Sequence, residues 1–384
     1  MIYVTFNDYP GGIYYSQVID VIYYLNQISS KKVKLVAFIS FRNFFENRKK
    51  IKCRYSDSIV VPMFPGVRNW KWNRLWLIVL SLIFFRSIVI CRGIFAFHII
   101  YPLRQLKWIQ KIILDARGLY KAEFEEYRVI NDDKIILQVN ELEKKALQSA
   151  DFKIAVSSAL VQQWKEVYGI QKSNYVIIPC TLSNEFIKPL PDKEIISNIR
   201  KKLKYSDEDI VIVFSGSASG WQSLKISDEI FSFLLKNNSR IRLLFLGHHS
   251  MNEYSAFHQF PERIQQYVCH PEEVLQYLWA ADYGWLVREQ SVTNKVASPV
   301  KFAEYLVAGL KVIISNQLGD YSDFCKTHRC GVVVNTDESI LSKMESLLQQ
   351  MERVDYEEKK HLHQLAMRYF IKDKYRAEYQ KLIS

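Results

Sequence analysis

The chain opens with a short strand pattern, Ile2 to Phe6, then a turn at Asp8-Tyr-Pro-Gly-Gly12, then apolar positions at Val18, Ile22 and Leu25 with helical spacing. Strand, glycine turn and helix in that order begin a nucleotide-type α/β domain. Further apolar runs predict strands at Val33 to Ser40, Ile59 to Pro62, Ser87 to Cys91, Lys111 to Asp115 and Lys153 to Ser157, each followed by a loop or helix. Val176 to Phe186 runs from a strand into a polar stretch followed by Pro189 and Pro191, which places a hinge there. A second series then predicts strands at Ile210 to Ser215, Arg242 to Gly247, Gln266 to Cys269, Tyr283 to Val287, Lys311 to Ser315 and Gly331 to Val334. Asp337 to Met351 and Tyr356 to Ile383 read as helical. Strands alternating with helices argue for parallel sheets in α/β layers, arranged as two consecutive Rossmann-like domains. The chain's 384 residues suffice for two full cores. The expected domains are 1–183 and 184–367, with a final helix over 368–384.

The stretch from Ala297 to Ser315 is the densest in chemistry. Ser298 reads as a helix N-cap, Pro299 as the first helical position and Gly309 as the stop before the strand that ends at Ser315. The free N–H groups and dipole at Ser298, Pro299 and Val300 favour a phosphate. Lys301 and Glu304, three apart, share one face, and Phe302, Tyr305 and Leu306 fall on another that can pack on the sheet. Glu304 lies roughly 9 Å along the helix from Ser298, about the distance from a diphosphate to the far hydroxyls of its ribose. An ordinary capped helix with a surface Lys-Glu pair is the other reading of the same residues.

Charge is distributed unevenly. The net charge is +12, all of it in residues 1 to 183, and residues 1 to 112 alone carry +13. One-sided charge of this kind points to an anionic partner, a membrane surface or nucleic acid. No recognition helix signature, RNP sequence or zinc finger is present, so no nucleic-acid partner is expected. Arg68 to Trp76 is basic and aromatic and leads into the apolar run Leu75 to Phe85, which is well short of the ~20 residues that span a bilayer. That run reads as a core helix, whereas Trp70, Trp72, Lys71 and Arg74 read as an interfacial anchor, with Trp76 and Arg68 beside them. The six cysteines are scattered, and the close pair Cys325 and Cys330 lacks zinc-site spacing, which fits a reduced cytoplasm. The N-terminus enters a strand at once, so nothing resembles a signal or transit peptide. No Gly-x-Gly-x-x-Gly follows the first strand and no Walker loop occurs, which disfavours dinucleotide enzymes and P-loop NTPases.

Other candidate residues sit where strands end. Gly11 and Gly12 let backbone approach a phosphate or simply make a tight turn, and Phe214 to Gln222 runs from a strand into a small-residue loop containing Gly216 and Ser217. Two Arg-Gly pairs end strands, Cys91-Arg-Gly93 and Asp115-Ala-Arg-Gly118, the latter followed by Glu123, Glu125 and Glu126. Asp115 could accept a proton or hold a hydroxyl, Arg92 and Arg117 would suit an anionic group, and the Asp-Arg pair could instead brace its loop. Arg288 ends the Tyr283 to Val287 strand and is either a diphosphate ligand or a salt-bridge residue.

Ser-Pro-Val-Lys-Phe-Ala-Glu-Tyr-Leu from Ser298 resembles the donor-site helix of the retaining glycosyltransferases of family four, especially the bacterial polysaccharide-synthesis branch. The resemblance covers nearly the whole chain and implies the GT-B fold, two Rossmann-like domains facing a cleft, with the final helix crossing back onto the first domain. It implies that Glu304 holds the nucleotide ribose and that the backbone at Ser298, Pro299 and Val300 meets the diphosphate and sugar. Gly11 and Gly12 match the family's Gly-Gly loop, and Gly216 and Ser217 lie in its donor phosphate loop. Relatives often place an Arg and a Lys after that loop, where Trp221 and Gln222 stand here, so Arg288 and Lys301 would supply the positive charge without a metal. Val268 to Asp282 is similar to the segment whose backbone, here beside His270, reads the base, with Glu272 or Glu273 opening the next helix. Where many relatives have a His near the reacting carbon this chain has Asp115, and where many have a sugar-binding Glu it has Val296. The nearest candidates for sugar contacts are then Glu289, Gln290 and Asn294.

The function so implied is transfer of a sugar from a nucleotide diphosphate sugar, a UDP-sugar favoured, to a glycan or lipid-linked glycan in cell-surface polysaccharide synthesis. The reaction would retain configuration, need no separate cofactor or metal, and take place at the cytoplasmic, inner face of an anionic membrane. A nucleotide-sugar 2-epimerase of the same fold and a non-catalytic scaffold in a glycan-synthesis complex are the alternatives.

Overall fold

The structure is a computed structural model that describes residues 1–130, 132–216, 223–248, 250, 254–336 and 340–383. The chain divides into two compact units, Met1–Ser183 with Lys372–Ser384, and Asn184–Ile371.

The first unit is built on seven parallel strands: β1 (Ile2–Phe6), β2 (Lys34–Ile39), β3 (Ser58–Pro62), β4 (Ile88–Arg92), β5 (Lys111–Asp115), β6 (Phe152–Ala155) and β7 (Tyr175–Ile177), ordered β3-β2-β1-β4-β5-β6-β7. Every residue of β1 is buried, Thr5 included, which is why it reads as a nearly continuous apolar run: a parallel strand is covered on both faces. The order reverses between β1 and β4, so the crevice beyond their carboxyl ends is the natural ligand position of this sheet. The helix after β1 begins at Gly12, widens to a π turn over Tyr15–Ile19 and resumes as Asp20–Ile28. The chain's last described segment belongs to this unit: Tyr379 and Leu382 are in its core, and the Lys372 ammonium donates to the Leu182 carbonyl at 2.7 Å. The expected single helix over 368–384 is interrupted. Tyr356–Tyr369 ends before Phe370, and a 3₁₀ turn at Lys372–Tyr375 precedes the helix Arg376–Ile383.

The second unit has six parallel strands: β8 (Ile210–Ser215), β9 (Ile241–Leu246), β10 (Ile264–Tyr267), β11 (Tyr283–Leu286), β12 (Lys311–Ser315) and β13 (Gly331–Val334), ordered β10-β9-β8-β11-β12-β13. Renumbered from β8 this is the dinucleotide-fold order, with the reversal between β8 and β11. The helix Val300–Val307 is locked over that reversal by Tyr305. Its hydroxyl accepts the Ser215 N–H at 3.0 Å from the end of β8 and donates to the Trp285 carbonyl in β11 at 3.4 Å. Gly284 lies under the Tyr305 ring, so close that a Cβ there would sit 2.2 Å from it. Phe302 differs from expectation. It stacks on Tyr321 at 4.5 Å, with Phe324 and Phe370 edge-on, and so packs on neighbouring helices rather than the sheet.

Trp76–Phe84 is a helix with Leu77, Leu80 and Phe84 buried, but Ile78, Val79 and Leu82 are 72 to 78% exposed. The run expected to be core is therefore two-faced. The anchor expected before it changes as well. Trp70 is 2% exposed and lies under the Arg74 guanidinium, which donates to the His98 carbonyl, and the Trp76 indole donates to the Pro62 carbonyl. Of the three tryptophans only Trp72 is open, beside exposed Lys71 and Arg68. No helix among the described residues is long and apolar enough to cross a membrane.

Candidate functional site

In the first unit the reversal of strand order gathers a polar cluster. β4 and β5 are in register, so Arg92 and Asp115 lie side by side at their carboxyl ends. Arg92 Nη1 is 3.9 Å from Asp115 Oδ2, its Nε is 3.4 Å from Asp8 Oδ1, and Arg117 Nη1 is 3.3 Å from Asp115 Oδ1. Tyr3 from β1 donates to the other Asp115 oxygen. Burial first, and then the Asp115 charge, push the Tyr3 phenol well above its ordinary value, so it stays a donor. Arg117 also donates to Gln17 Oε1 at 2.9 Å and to Cys180 Sγ at 3.0 Å. The π turn aims Gln17 inward, and its amide reaches on to the Thr181 carbonyl. Asp115 is 2% exposed with every oxygen engaged, so the bracing role describes it better than an open base would.

Gly93 follows β4 at φ +79°, and a Cβ there would meet the Tyr120 hydroxyl at 1.9 Å, so both the backbone and the space require glycine. Glu143 caps the helix Tyr120–Tyr127 from outside by accepting the amides of Tyr120 and Lys121 and the Tyr168 hydroxyl, each at 2.9 Å. Burial raises Glu143 to about 7 against those bonds, and burial followed by the Glu143 charge raises Glu123 to about 7. Gly11 and Gly12 open the helix after β1. Gly11 is extended with its N–H on the Tyr9 carbonyl, and a Cβ on Gly12 would meet nothing within 4 Å, so the turn itself does not demand glycine at 12.

In the second unit the corresponding strand ends are furnished differently. Arg288 follows β11, is 6% exposed and donates to Asn294 Oδ1 at 3.2 Å, while its own N–H meets Ser315 Oγ at the end of β12. Asn294 returns its amide to the Glu289 carbonyl, and the Glu289 N–H donates to Ser223 Oγ at 2.8 Å. The Glu289 carboxylate is half-buried, and no cation lies within 4 Å of it among the described residues. Gln290 is occupied by Asn316 and Thr336. Val296 is fully buried, so that position presents its side chain to the core.

The helix starts at Val300, with Pro299 in the cap position and no side-chain cap. This corrects Ser298 as N-cap: its hydroxyl pairs with Tyr321 at 2.8 Å, and Pro299 stands one place earlier than expected. The first N–H groups of such a helix have no partner inside it. Glu304 is 7% exposed and bound by Lys301 at 2.7 Å. Gly309, at φ +79°, ends the helix in a Schellman motif, with Leu310 N–H on Tyr305 O and Gly309 N–H on Leu306 O. Gly216 follows β8 with its N–H on the Leu246 carbonyl, whereas Ser217, Trp221 and Gln222 lie outside the described residues. His270 is exposed, but its N–H donates to the Glu273 carboxylate and its carbonyl accepts the Glu273 N–H, so its own main chain is closed into a turn. The structure thus brings Arg288, Glu289, Ser298, Pro299, Val300, Lys301 and Glu304 to one sheet end. Tyr3, Gln17 and Glu143 were missed, because nothing in their local sequence sets them apart from their neighbours.

No family model matches the chain, and no curated protein matches it in sequence. Solved structures match it over its whole length. They include WaaG, a glycosyltransferase involved in lipopolysaccharide biosynthesis, at 14% identity with a TM-score of 0.69, covering 100% of this chain and 98% of that one. Anabaena HepE in complex with UDP-glucose matches at 11% identity and a TM-score of 0.71, covering 99% and 98%. A glycosyltransferase from Rickettsia africae matches at 14% identity and a TM-score of 0.70, covering 100% and 98%. Two all-parallel Rossmann-like units in this order define the GT-B fold, and this chain has it.

Proposed function

We propose that the protein is a glycosyltransferase that takes a sugar from a nucleotide diphosphate donor, with the second unit as the donor site. The observation that carries this is the buried Glu304, paired among the described residues with Lys301 alone, on a helix that starts at the strand reversal where Arg288 also stands. Glu304 accepts both ribose hydroxyls, the first N–H groups and Lys301 meet the diphosphate, and Arg288 stabilises its growing charge as the glycosidic bond breaks. Glu289, whose carboxylate has no cation within 4 Å among the described residues, is the group best suited to sugar hydroxyls. The fold is one in which UDP and UDP-glucose complexes are known for HepE, which supports a UDP-sugar. Three cationic contributions at the diphosphate leave no need for a metal, and retention of configuration rests on the resemblance of the Ser298 to Leu306 segment. The acceptor is a glycan or lipid-linked glycan.

The first unit suits attachment to an anionic membrane. Ile78, Val79 and Leu82 form an open apolar ridge, with exposed Trp72 and Phe85 at its ends and Arg68, Lys71 and Arg86 around it. Apolar insertion with a basic surround fits a lipid headgroup layer. The test of function is a thermal-shift titration with UDP, GDP and their sugars, followed by measurement of sugar release. UDP should stabilise the protein and a UDP-sugar should turn over slowly without acceptor. Indifference to every nucleoside diphosphate would overturn the assignment.

A further inference from the structure

The second unit contains a cavity of about 420 Å³ that none of the donor residues lines. It lies at the opposite, N-terminal end of the second sheet, beside the residues that precede β11. The cavity residue Lys359 donates to the Ala281 carbonyl, and Val354 donates its N–H to Asp282. Strands of four to five residues separate it from the donor end by roughly 15 Å.

Two helices begin at this cavity, Lys193–Lys202 and Tyr356–Tyr369, each capped by its own aspartate, Asp192 and Asp355. The acids nearby are committed. Asp355 accepts the Glu358 amide, Asp207 is paired with Arg353, and Asp282 accepts from Arg200 and from the amides of Val211 and Val354. Two cations are not committed. Lys359 is 4% exposed, and its ammonium, with three donors, has one hydrogen bond among the described residues, while the Lys193 side chain has neither hydrogen bond nor ion pair among them. Burial brings Lys359 down to about 8 despite the opposing charge of Asp282, with Arg200 and Arg353 adding to the fall, and no carboxylate among the described residues lies within 4 Å of its ammonium. Ile196, Val354 and Tyr356 provide apolar wall.

We propose that this cavity is a second ligand site that takes a small organic phosphate, its phosphate between Lys359 and Lys193 and its organic part against Tyr356, Ile196 and Val354. The volume falls within the range of small-molecule sites, roughly 300 to 1,000 Å³. A phosphate accepts from the remaining Lys359 donors and also brings a negative charge between Lys359 and Lys193, whereas a neutral ligand supplies acceptors alone. The site is independent of the donor chemistry proposed above.

Calorimetric titration of the full chain with a hexose phosphate and, separately, with inorganic phosphate tests the assignment. Saturable binding of the hexose phosphate is expected, weakened at least about tenfold, or ~1.4 kcal/mol, in Lys193→Glu and in Lys359→Met, and unchanged in Lys301→Met. Lys193 is on the surface, so its variant folds whatever the outcome at Lys359. Binding that survives Lys193→Glu, or that is lost only with Lys301→Met, would assign the phosphate to the donor helix and overturn the proposal. Equal affinity for inorganic phosphate and hexose phosphate would overturn the role given to Tyr356 and its apolar neighbours.

Discussion

The two units use the same strand order and gather charge at the same place, yet they differ in what is left over. In the first, Asp115 faces Arg92, Arg117 and Tyr3, and Asp8 takes the remaining side of Arg92, so the charges close on one another. In the second, among the described residues, Glu304 is paired with Lys301 alone and Glu289 has no cation within 4 Å, while the first N–H groups of a helix lack partners within it at the same strand ends as Arg288. A closed cluster fixes geometry. An open one waits for a ligand, because unbalanced buried charge is costly until something balances it. Position in the fold is therefore insufficient to assign chemistry, and the partners at each strand end decide it.

The sharpest test of that contrast is Asp115→Asn. Removing one partner of a buried ion pair leaves Arg117 without its counter-ion and Arg92 with Asp8 alone, and should cost about 3 to 5 kcal/mol of stability, read by urea unfolding, with nucleotide affinity of the folded protein intact. Normal stability with lost turnover would instead make Asp115 a catalytic group and break the comparison. Glu304→Gln should do the reverse. Losing charge-assisted bonds to ribose, worth about 1.5 to 3 kcal/mol, weakens UDP binding roughly 10- to 150-fold with little change in melting temperature, and unaltered affinity by titration calorimetry would remove the ribose assignment.

A third test concerns the outward face of the first unit. Ile78→Glu with Leu82→Glu should abolish flotation with anionic vesicles, because each apolar side chain contributes up to about 1.5 to 3 kcal/mol when buried. Lys71→Glu should weaken flotation by less, about 1 kcal/mol for the lost charge and more at low salt. Leu77→Ala and Leu80→Ala should lower stability instead. If wild-type protein ignores such vesicles, the basic surface serves another anion.

Acidity separates the units more gently. Glu123 and Glu143 are raised from 4.5 to about 7 in the folded state. Between those values the folded chain holds protons that the unfolded chain has released, so stability falls as pH rises through about 4.5 to 7. Glu123→Gln should flatten that fall in melting temperature between pH 5 and 7, and an unchanged slope would show that the pair does not titrate there. The smallest effect expected is that of EDTA. Sugar transfer should be unaffected, since Arg288, Lys301 and the helix N-terminus supply the positive charge, and loss of turnover restored by magnesium would refute that account.

Strands β1, β5, β8, β12 and β13 coincide with the segments that predicted them, and in all but the edge strand β13 the cause is burial on both faces, which leaves little room for polar residues. The edge strand β10 was placed two residues late. Its sequence Ile264-Gln-Gln-Tyr267 is mixed, and it pairs only with β9. Local signals also erred where a side chain found a distant partner, as when Ser298 bonds Tyr321 rather than capping its helix, and Trp70 packs under Arg74 rather than meeting solvent.

By itself the sequence determined the alternation of strands and helices, the Schellman stop at Gly309 and the Lys301–Glu304 pair, since all of these depend on residues within a few positions of one another. Tertiary structure alone decided that Asp115 is enclosed while Glu304 has one counter-ion, that Tyr305 pins its helix to β8 and β11, and that Lys359 stands short of charge beside a cavity. Those outcomes depend on partners as distant in sequence as Tyr3 is from Asp115 or Ala281 from Lys359. Only the packed sheet brings such groups within the few ångströms over which hydrogen bonds and buried charges act.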